Sequence, residues 1–399
     1  MSNWLLPENI SDVLPQEARR VEALRRALLD LYRGFGYEYV IPPLIEHLDS
    51  LLSGTDADLD LRTFKLVDQS SGRSLGVRAD ATPQTARIDA HILNRDGVVR
   101  LCYAGPALHA RPLHPLASRE PIQVGAELYG DATIDADGEV LQLAARSLQL
   151  TGAVELRIDL GHSGVLRALL AAERPAAERL AEILRALNSK DPAALGSAAS
   201  TLAAPTRDAL LRLVDLHGDL RTLARARREL PDRAELAAAL AQLEQLAAFC
   251  PPGTVSIDLG DLHGYRYYTG ATFAAYAAGS PGPILRGGRY DDVGLTFGRA
   301  RPATGFSIID LREAAQLSTE AASVPKAIVA PYGVDPQLET LVNALRSQGQ
   351  IVVRRGQGRP AEGQFEFDRE IRRVDAKWQV VARGSQGNGS GSAEAQSDG

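Results

Sequence analysis

Two cysteines in 399 residues, Cys102 and Cys250, are too few and too unlike in context for a disulfide scaffold or a cysteine-based zinc site, and they fit a reducing compartment. No apolar run approaches the ~20 residues of a membrane span. The opening MSNWLLPENISDVLPQEARR lacks the basic-then-apolar plan of a signal peptide, so a cytoplasmic chain is expected. A phosphate loop of the GxxxxGK type, a dinucleotide GxGxxG and an HExxH helix are all missing, and the seven histidines never pair at metal-ligand spacing. Neither a metal nor a cofactor is expected. There is no internal repeat and no basic stripe: 44 Lys and Arg against 50 Asp and Glu leave a net charge of −6, which argues against a nucleic-acid partner.

What is present is a globular composition, 45% hydrophobic and 24% charged, in a chain long enough for two or three domains. Val21, Leu24, Leu28 and Leu31 recur at helical spacing over residues 16–33, and YEYVIPPLIEH reads as a strand broken by Pro42 and Pro43. TFKLVD and SLGVRAD are strands joined by QSSGR, and a helix starts near Pro83. VRLCYAGP and EPIQVGAELYG form a hairpin whose second strand sends Gln123 and Glu127 to one face and Val124 and Leu128 to the other. A helix over 137–150 and a strand over 154–161 lead into an Ala/Leu/Arg/Glu-rich helical insertion over about 164–250. There Leu180, Ile183, Leu184 and Leu187, then Leu236, Leu240 and Leu243, form core-packing stripes. Strands resume in TVSIDLGDL, YRYYTGATFAAYA, ILRGGRYDDVG and ATGFSIIDLRE. From about 322 to 383 PKAIVAPYG, a helix over 335–348, QIVVRRG and WQVVARG make a small α/β module, and 384–399 is a low-complexity tail expected to be disordered.

The polar residues that stand out are Arg78, Asp80 and Thr82 in GVRADAT, Gln123 and Glu127 in QVGAE, Tyr267 and Tyr268 in HGYRYYTG, and Tyr290 in GGRYDD. Each alone fits a solvated strand face, Arg78 with Asp80 fits a structural ion pair, and His109 and His114 fit an exposed Pro-rich loop. If the strands share one sheet, the set makes a pocket for a small ligand bearing an ammonium or imidazole group, because charge-assisted hydrogen bonds are strong and tyrosine offers both a ring face and a hydroxyl.

In their order these segments resemble the histidyl-tRNA synthetase family of class II aminoacyl-tRNA synthetases over roughly residues 5–312. ISDVLP with VIPPLIE is similar to the first class motif, a dimerisation element. GVRADAT is similar to LRPEGT, GPALHARP through QVGAELYG to the second motif, HGYRYYTGATF and GGRYDD to the histidine-specific segments, and ATGFSIIDLRE to the third motif. The resemblance implies an α+β fold with an antiparallel sheet flanked by helices, a helical insertion, and a C-terminal module like the start of an anticodon-binding domain but too short to complete one.

The departures carry the functional expectation. Where the synthetases have FRHERP, this chain has the shorter LHARP, with His109 in the arginine's place, no glutamate, and Arg111 two residues on. The arginine opening RGLDYY is His263, and Arg312 survives in the third motif beside Ile309 and Leu311 where glycine and glutamate belong. Loss of one preorganised charge typically costs roughly 100- to 1,000-fold in rate, so no catalytic residue is expected. By the resemblance, Asp80, Thr82 and Gln123 hold an amino acid's ammonium, and Glu127, Tyr267 and Tyr268, with Tyr290, surround an imidazole. The pattern thus resembles the regulatory-subunit family of ATP phosphoribosyltransferase. That family implies histidine as effector, a short-form catalytic subunit as partner, a homodimer within a hetero-oligomer, and no tRNA. The competing expectation is a divergent histidyl-tRNA synthetase in which Arg111, after a loop shift, and Arg312 serve the nucleotide.

Overall fold

The computed structural model describes residues 4–53, 57–318, 324–355 and 364–383, and the chain divides into two compact units, Met1–Glu320 and Ala321–Gly399. The tail expected to be disordered lies outside the described residues.

Pro15 opens the first helix, Pro15–Gly34, where its fixed φ and missing N–H suit a first turn. Val21, Leu24, Leu28 and Tyr32 form the buried stripe; Leu31, expected there, is half-buried, because the four-residue step from Leu28 reaches Tyr32. The strands of the first unit are β1 (Glu38–Tyr39), β2 (Ile45–His47), β3 (Phe64–Val67), β4 (Ser74–Val77), β5 (Val99–Pro106), β6 (Ile122–Tyr129), β7 (Arg157–His162), β8 (His217–Gly218), β9 (Val255–Asp258), β10 (Ala271–Tyr276), β11 (Leu285–Arg289) and β12 (Ala303–Ile308). Nine of them form one sheet in the order β1-β5-β6-β12-β11-β10-β7-β9-β8, antiparallel except for the β1/β5 and β7/β9 pairs. The helix-flanked antiparallel sheet is the expected α+β architecture. One face of the sheet is core: Val124, Ala126 and Leu128 of β6 and Phe306 and Ile308 of β12 cluster with Leu28, Tyr32 and residues Val140, Leu143 and Leu148 of the helix Ile134–Leu150. Each fully buried side chain of this kind contributes roughly 1.5–3 kcal/mol of transfer free energy.

The other face is hollow because its central rows are small. Gly125 pairs with Ser307, and Ser307 with Arg286; Glu127 pairs with Gly305, and Gly305 with Gly288. A Cβ at Gly125 would run into the Tyr103 hydroxyl, and one at Gly305 into the Glu127 carboxyl and the Tyr290 hydroxyl.

Two expectations about this face are corrected. GVRADAT does not continue a strand of the main sheet: β4 belongs to a separate sheet, β2-β4-β3, and ends at Val77. The chain leaves it because Asp80 Oδ1 accepts from Thr82 N at 3.0 Å, an Asx turn that leads into the helix Thr82–Arg87 with Pro83 in its first turn. YRYYTG is likewise a turn, not a strand. Gly264, at φ +73°, reverses the chain, and its carbonyl accepts from Tyr267 N at 2.8 Å and Tyr268 N at 2.9 Å, so β10 begins only at Ala271.

The segment read as a helical insertion comprises helices Ser163–Leu170, Ala177–Asn188, Pro192–Ala198, Ala204–Leu213, Arg221–Glu229 and Ala234–Ala247, with β8 pairing to β9 between them. In the second unit, β13 (Lys326–Pro331), β14 (Val352–Arg355), β15 (Glu366–Val374) and β16 (Lys377–Ala382) form the order β14-β13-β15-β16. The helix Pro336–Ser347, capped by Asp335, covers a core of Ile328, Ala330, Leu338, Val342, Val352 and Ile371.

Candidate functional site

Over the hollow rows lies a cavity of about 500 Å³, and Asp80, Thr82, Gln123, Glu127, Tyr267, Tyr268 and Tyr290 all line it. Glu127 forms its floor and is 1% exposed. Its Oε1 accepts from Thr82 Oγ1 at 3.0 Å and Tyr103 OH at 3.1 Å, and its Oε2 accepts from Tyr290 OH. Burial pushes this carboxyl well above the usual carboxylate range, the Asp80 charge adds to the rise, and the Thr82 and Tyr103 hydroxyls oppose it. A carboxyl so placed can form a charge-assisted hydrogen bond with an imidazole arriving beside it.

Tyrosine rings make one wall. Tyr267 stacks on Tyr290 with centroids 4.9 Å apart and meets Tyr268 edge-on at 5.3 Å. The buried Tyr267 hydroxyl has no hydrogen-bond partner among the described residues and lines the cavity. The turn that carries these rings is fastened from outside the cavity: Arg167, on the helix Ser163–Leu170, donates to Thr269 O at 2.9 Å, Tyr265 O at 3.4 Å and Tyr268 O. Its guanidinium also lies over the Tyr265 ring. Tyr290 is anchored by its neighbour Arg289, which reaches Asp137 and Asp291 and the carbonyls of Asp131 and Thr133.

At the Asp80 end the backbone fixes the geometry. Ala81 N donates to Gln123 Oε1 at 3.0 Å, which turns the Gln123 amide nitrogen toward Asp80 Oδ1, 3.5 Å away. Asp80 and Thr82 therefore present oxygens to the cavity from the loop after β4 and the start of a helix, and of the seven residues expected in the site Gln123 and Glu127 come from a strand of the main sheet.

Arg78 is not part of this set and makes no ion pair with Asp80 among the described contacts. Its guanidinium donates to Pro42 O and Pro106 O and pins the loop before Thr82. His109, expected on an exposed loop, is 2% exposed, because its Nε2 lies 3.0 Å from Ala79 O and its backbone bridges to Thr63. Arg111 is exposed and does not line the cavity. Arg312 borders an adjoining hollow of about 660 Å³ with Asn9, Ser11 and Asp310, and its guanidinium is held by Ser11 Oγ at 2.9 Å and Glu17 at 3.5 Å. His263 stands at the cavity mouth with Nδ1 2.5 Å from Asp261 Oδ1. Burial opposes the Asp261 charge, but His263 and Arg286 outweigh it and hold the carboxyl down at about 2.

Sequence reasoning missed Arg286, Asp310 and Arg167. Arg286 was legible as the residue before GG in LRGGRYDD; the other two become visible only when separate elements meet.

A family model described as Histidyl-tRNA synthetase matches residues 9–313, and one described as ATP phosphoribosyltransferase subunit HisZ C-terminal domain matches 325–381, so the C-terminal module answers to a model of its own. The chain is 53% identical over 386 residues to the ATP phosphoribosyltransferase regulatory subunit of Cupriavidus metallidurans, covering 96% of this chain and 100% of that protein. It is 53% identical over 384 residues to that of Burkholderia lata, with the same coverage. An ATP phosphoribosyltransferase regulatory subunit/histidyl-tRNA synthetase structure from Bacillus halodurans superposes with a TM-score of 0.78 at 26% identity, over 91% of this chain and 96% of that one. A histidyl-tRNA synthetase from Nostoc sp. PCC 7120 shares the fold, with a TM-score of 0.74 at 17% identity over 96% and 97% of the two chains.

Proposed function

The chain belongs to the ATP phosphoribosyltransferase regulatory subunits, within the histidyl-tRNA synthetase family, and from that premise we propose that it binds L-histidine in the cavity over Glu127 and transmits that occupancy to a catalytic partner. Its role is regulatory, in histidine biosynthesis. The observation that carries the binding proposal is the unequal state of the two ends of the site. The amino-acid end converges on a buried carboxyl, an aromatic wall and a fixed Asp80–Gln123 pair. At the other end, the position that resembles the synthetases' phosphate-binding arginine is a buried His109 committed to Ala79 O, and neither Arg111 nor Arg312 turns into the cavity.

In this reading the ligand's ammonium sits against Asp80, Thr82 and Gln123, and its imidazole against Glu127 and the tyrosines. The catalytic partner is a short-form ATP phosphoribosyltransferase subunit, the regulatory chain is a homodimer within the hetero-oligomer, the assembly is cytoplasmic, and tRNA is not a ligand. Inhibition is linkage: histidine must bind a low-activity arrangement of the complex more tightly than a high-activity one, and only that difference can shift the equilibrium.

Purified chain mixed with a short-form catalytic subunit is expected to assemble and to change its rate and histidine sensitivity; failure on all three counts sinks the proposal. Glu127→Ala is expected to weaken histidine inhibition while leaving assembly intact, and unchanged inhibition moves the effector site elsewhere. Histidine-dependent exchange of pyrophosphate into ATP by the chain alone would favour the divergent synthetase instead.

A further inference from the structure

The cavity is well supplied with acids and poor in cations at the end where an amino acid's carboxylate must lie. Asp80 and Glu127 line it, and Asp310 and Glu313 border it. A carboxylate placed among them without a positive partner would lose its hydration and gain repulsion. His263 stands where the resemblance puts the synthetases' arginine, but its ring is tied to Asp261 at 2.5 Å.

Arg286 is placed to supply the missing charge. On the hollow face it shares a row with Ser307 and Gly125, and the row beside it holds Gly288, Gly305 and Glu127. At strand spacings of ~4.8 Å and a rise of ~3.4 Å per residue, the Cα atoms of Arg286 and Glu127 are about 12 Å apart, with glycine and serine between them. That interval accommodates one amino acid lying across the sheet. The Arg286 side chain is 29% exposed, lines the cavity, and among the described residues has one ion pair, a long contact of 3.8 Å to Asp261. That contact involves Nη1 alone, so guanidinium donors remain for a ligand. Arg62, the other guanidinium on the wall, belongs to the far side, where Thr63 bridges to His109 and Ala110 N donates to Arg62 O.

We propose that Arg286 is the carboxylate-recognising residue of this cavity and makes it selective for a free α-amino acid over analogues whose carboxylate is missing or masked. The inference rests on the reading of the cavity as the histidine site. The planar guanidinium offers a carboxylate two parallel N–H donors, and Asp261, with His263 bound to its other oxygen, faces the guanidinium at Nη1 and steadies it. Arg286 thus supplies from strand β11, and with no catalytic duty, the charge that position 263 lacks in its turn.

The test is calorimetric titration of the full-length chain, alone and assembled with its catalytic partner, using L-histidine, histamine and L-histidine methyl ester. Wild type should prefer histidine over both analogues by roughly 10- to 100-fold, the range of a charge-assisted hydrogen bond pair. Arg286→Ala should lose that factor for histidine, leave histamine affinity within about twofold and abolish the preference; Arg286→Lys should restore part of it. Glu127→Gln should weaken all three ligands together. If Arg286→Ala keeps the preference, or if Arg62→Ala removes it instead, the assignment to Arg286 is wrong while the histidine site stands. No heat with histidine for wild type in either state overturns the site and the assignment together. Unchanged far-ultraviolet circular dichroism and melting temperature separate any of these outcomes from misfolding.

Discussion

Glu127 and Asp310 are both buried carboxyls on the cavity's boundary, and their oxygens are satisfied differently. Glu127 has hydroxyl donors on both oxygens. Asp310 caps the helix Leu311–Gln316: its Oδ1 accepts from Arg312 N at 2.9 Å and Ile122 N at 3.1 Å, while Oδ2 has no hydrogen-bond partner among the described residues. Burial pushes Asp310 up to about 6 from an ordinary 3.8; Glu313 adds to the rise, and the two backbone N–H groups and the Arg312 charge oppose it. Above the unfolded value the unfolded chain gives up this proton while the folded chain keeps it. Stability from this group is therefore greatest below about pH 4 and falls until the folded carboxyl also ionises near pH 6, by about 3 kcal/mol in all. Asp310→Asn keeps an acceptor for both backbone N–H groups and cannot ionise. Its melting temperature relative to wild type should rise between pH 4 and 6.5 and then level off, measured by calorimetry across that range. A constant difference would place the ionisation elsewhere.

The turn bearing Tyr267 and Tyr268 is held at the scale of elements, by a helix of the insertion through Arg167. Removing that guanidinium leaves three carbonyls without their charged donor, at a cost of roughly 1–3 kcal/mol for each that stays dry. Arg167→Ala should therefore speed amide hydrogen exchange over residues 265–269 and weaken histidine binding about tenfold, with the strands around Glu127 unchanged. A weaker ligand without faster exchange would mean that Arg167 acts by charge and not by positioning. This coupling also marks the limit of what a linear reading can reach. The Gln123/Glu127 alternation, the hairpin and the helical stripes are local periodicities and could be read directly. Asp80, Thr82 and the tyrosine pair do line one cavity, but from turns and not from the strands expected, because an Asx turn and one left-handed glycine interrupt patterns that otherwise alternate. β15 went unread for a related reason: EFDREIRRV is laced with charge and buries only Ile371 fully. Arg167 carries no signature of its own, since the carbonyls it holds lie about 100 residues away, and Asp310 reads locally only as a helix cap, its bond to Ile122 N spanning 188 residues.

The main sheet has unlike faces, a packed core on one and the cavity on the other, and every cavity residue lies within Met1–Glu320. Among the described residues no helix is long and apolar enough to cross a membrane. The second unit has a core of its own around Ile328, Leu338 and Val342. A ligand that binds only the folded form stabilises it by RT ln(1 + [L]/Kd), about 2.7 kcal/mol at a hundredfold excess over Kd. For a unit as large as the first, that raises the melting temperature by roughly 3–6 °C. Scanning calorimetry of the full chain should accordingly show the transition of the larger unit moving upward with histidine while that of the smaller unit stays in place. Glu127→Gln should blunt the movement, because the floor of the cavity no longer offers a carboxylate to the imidazole. A histidine-dependent shift confined to the smaller unit's transition would put the ligand there and leave the cavity over Glu127 without its proposed occupant.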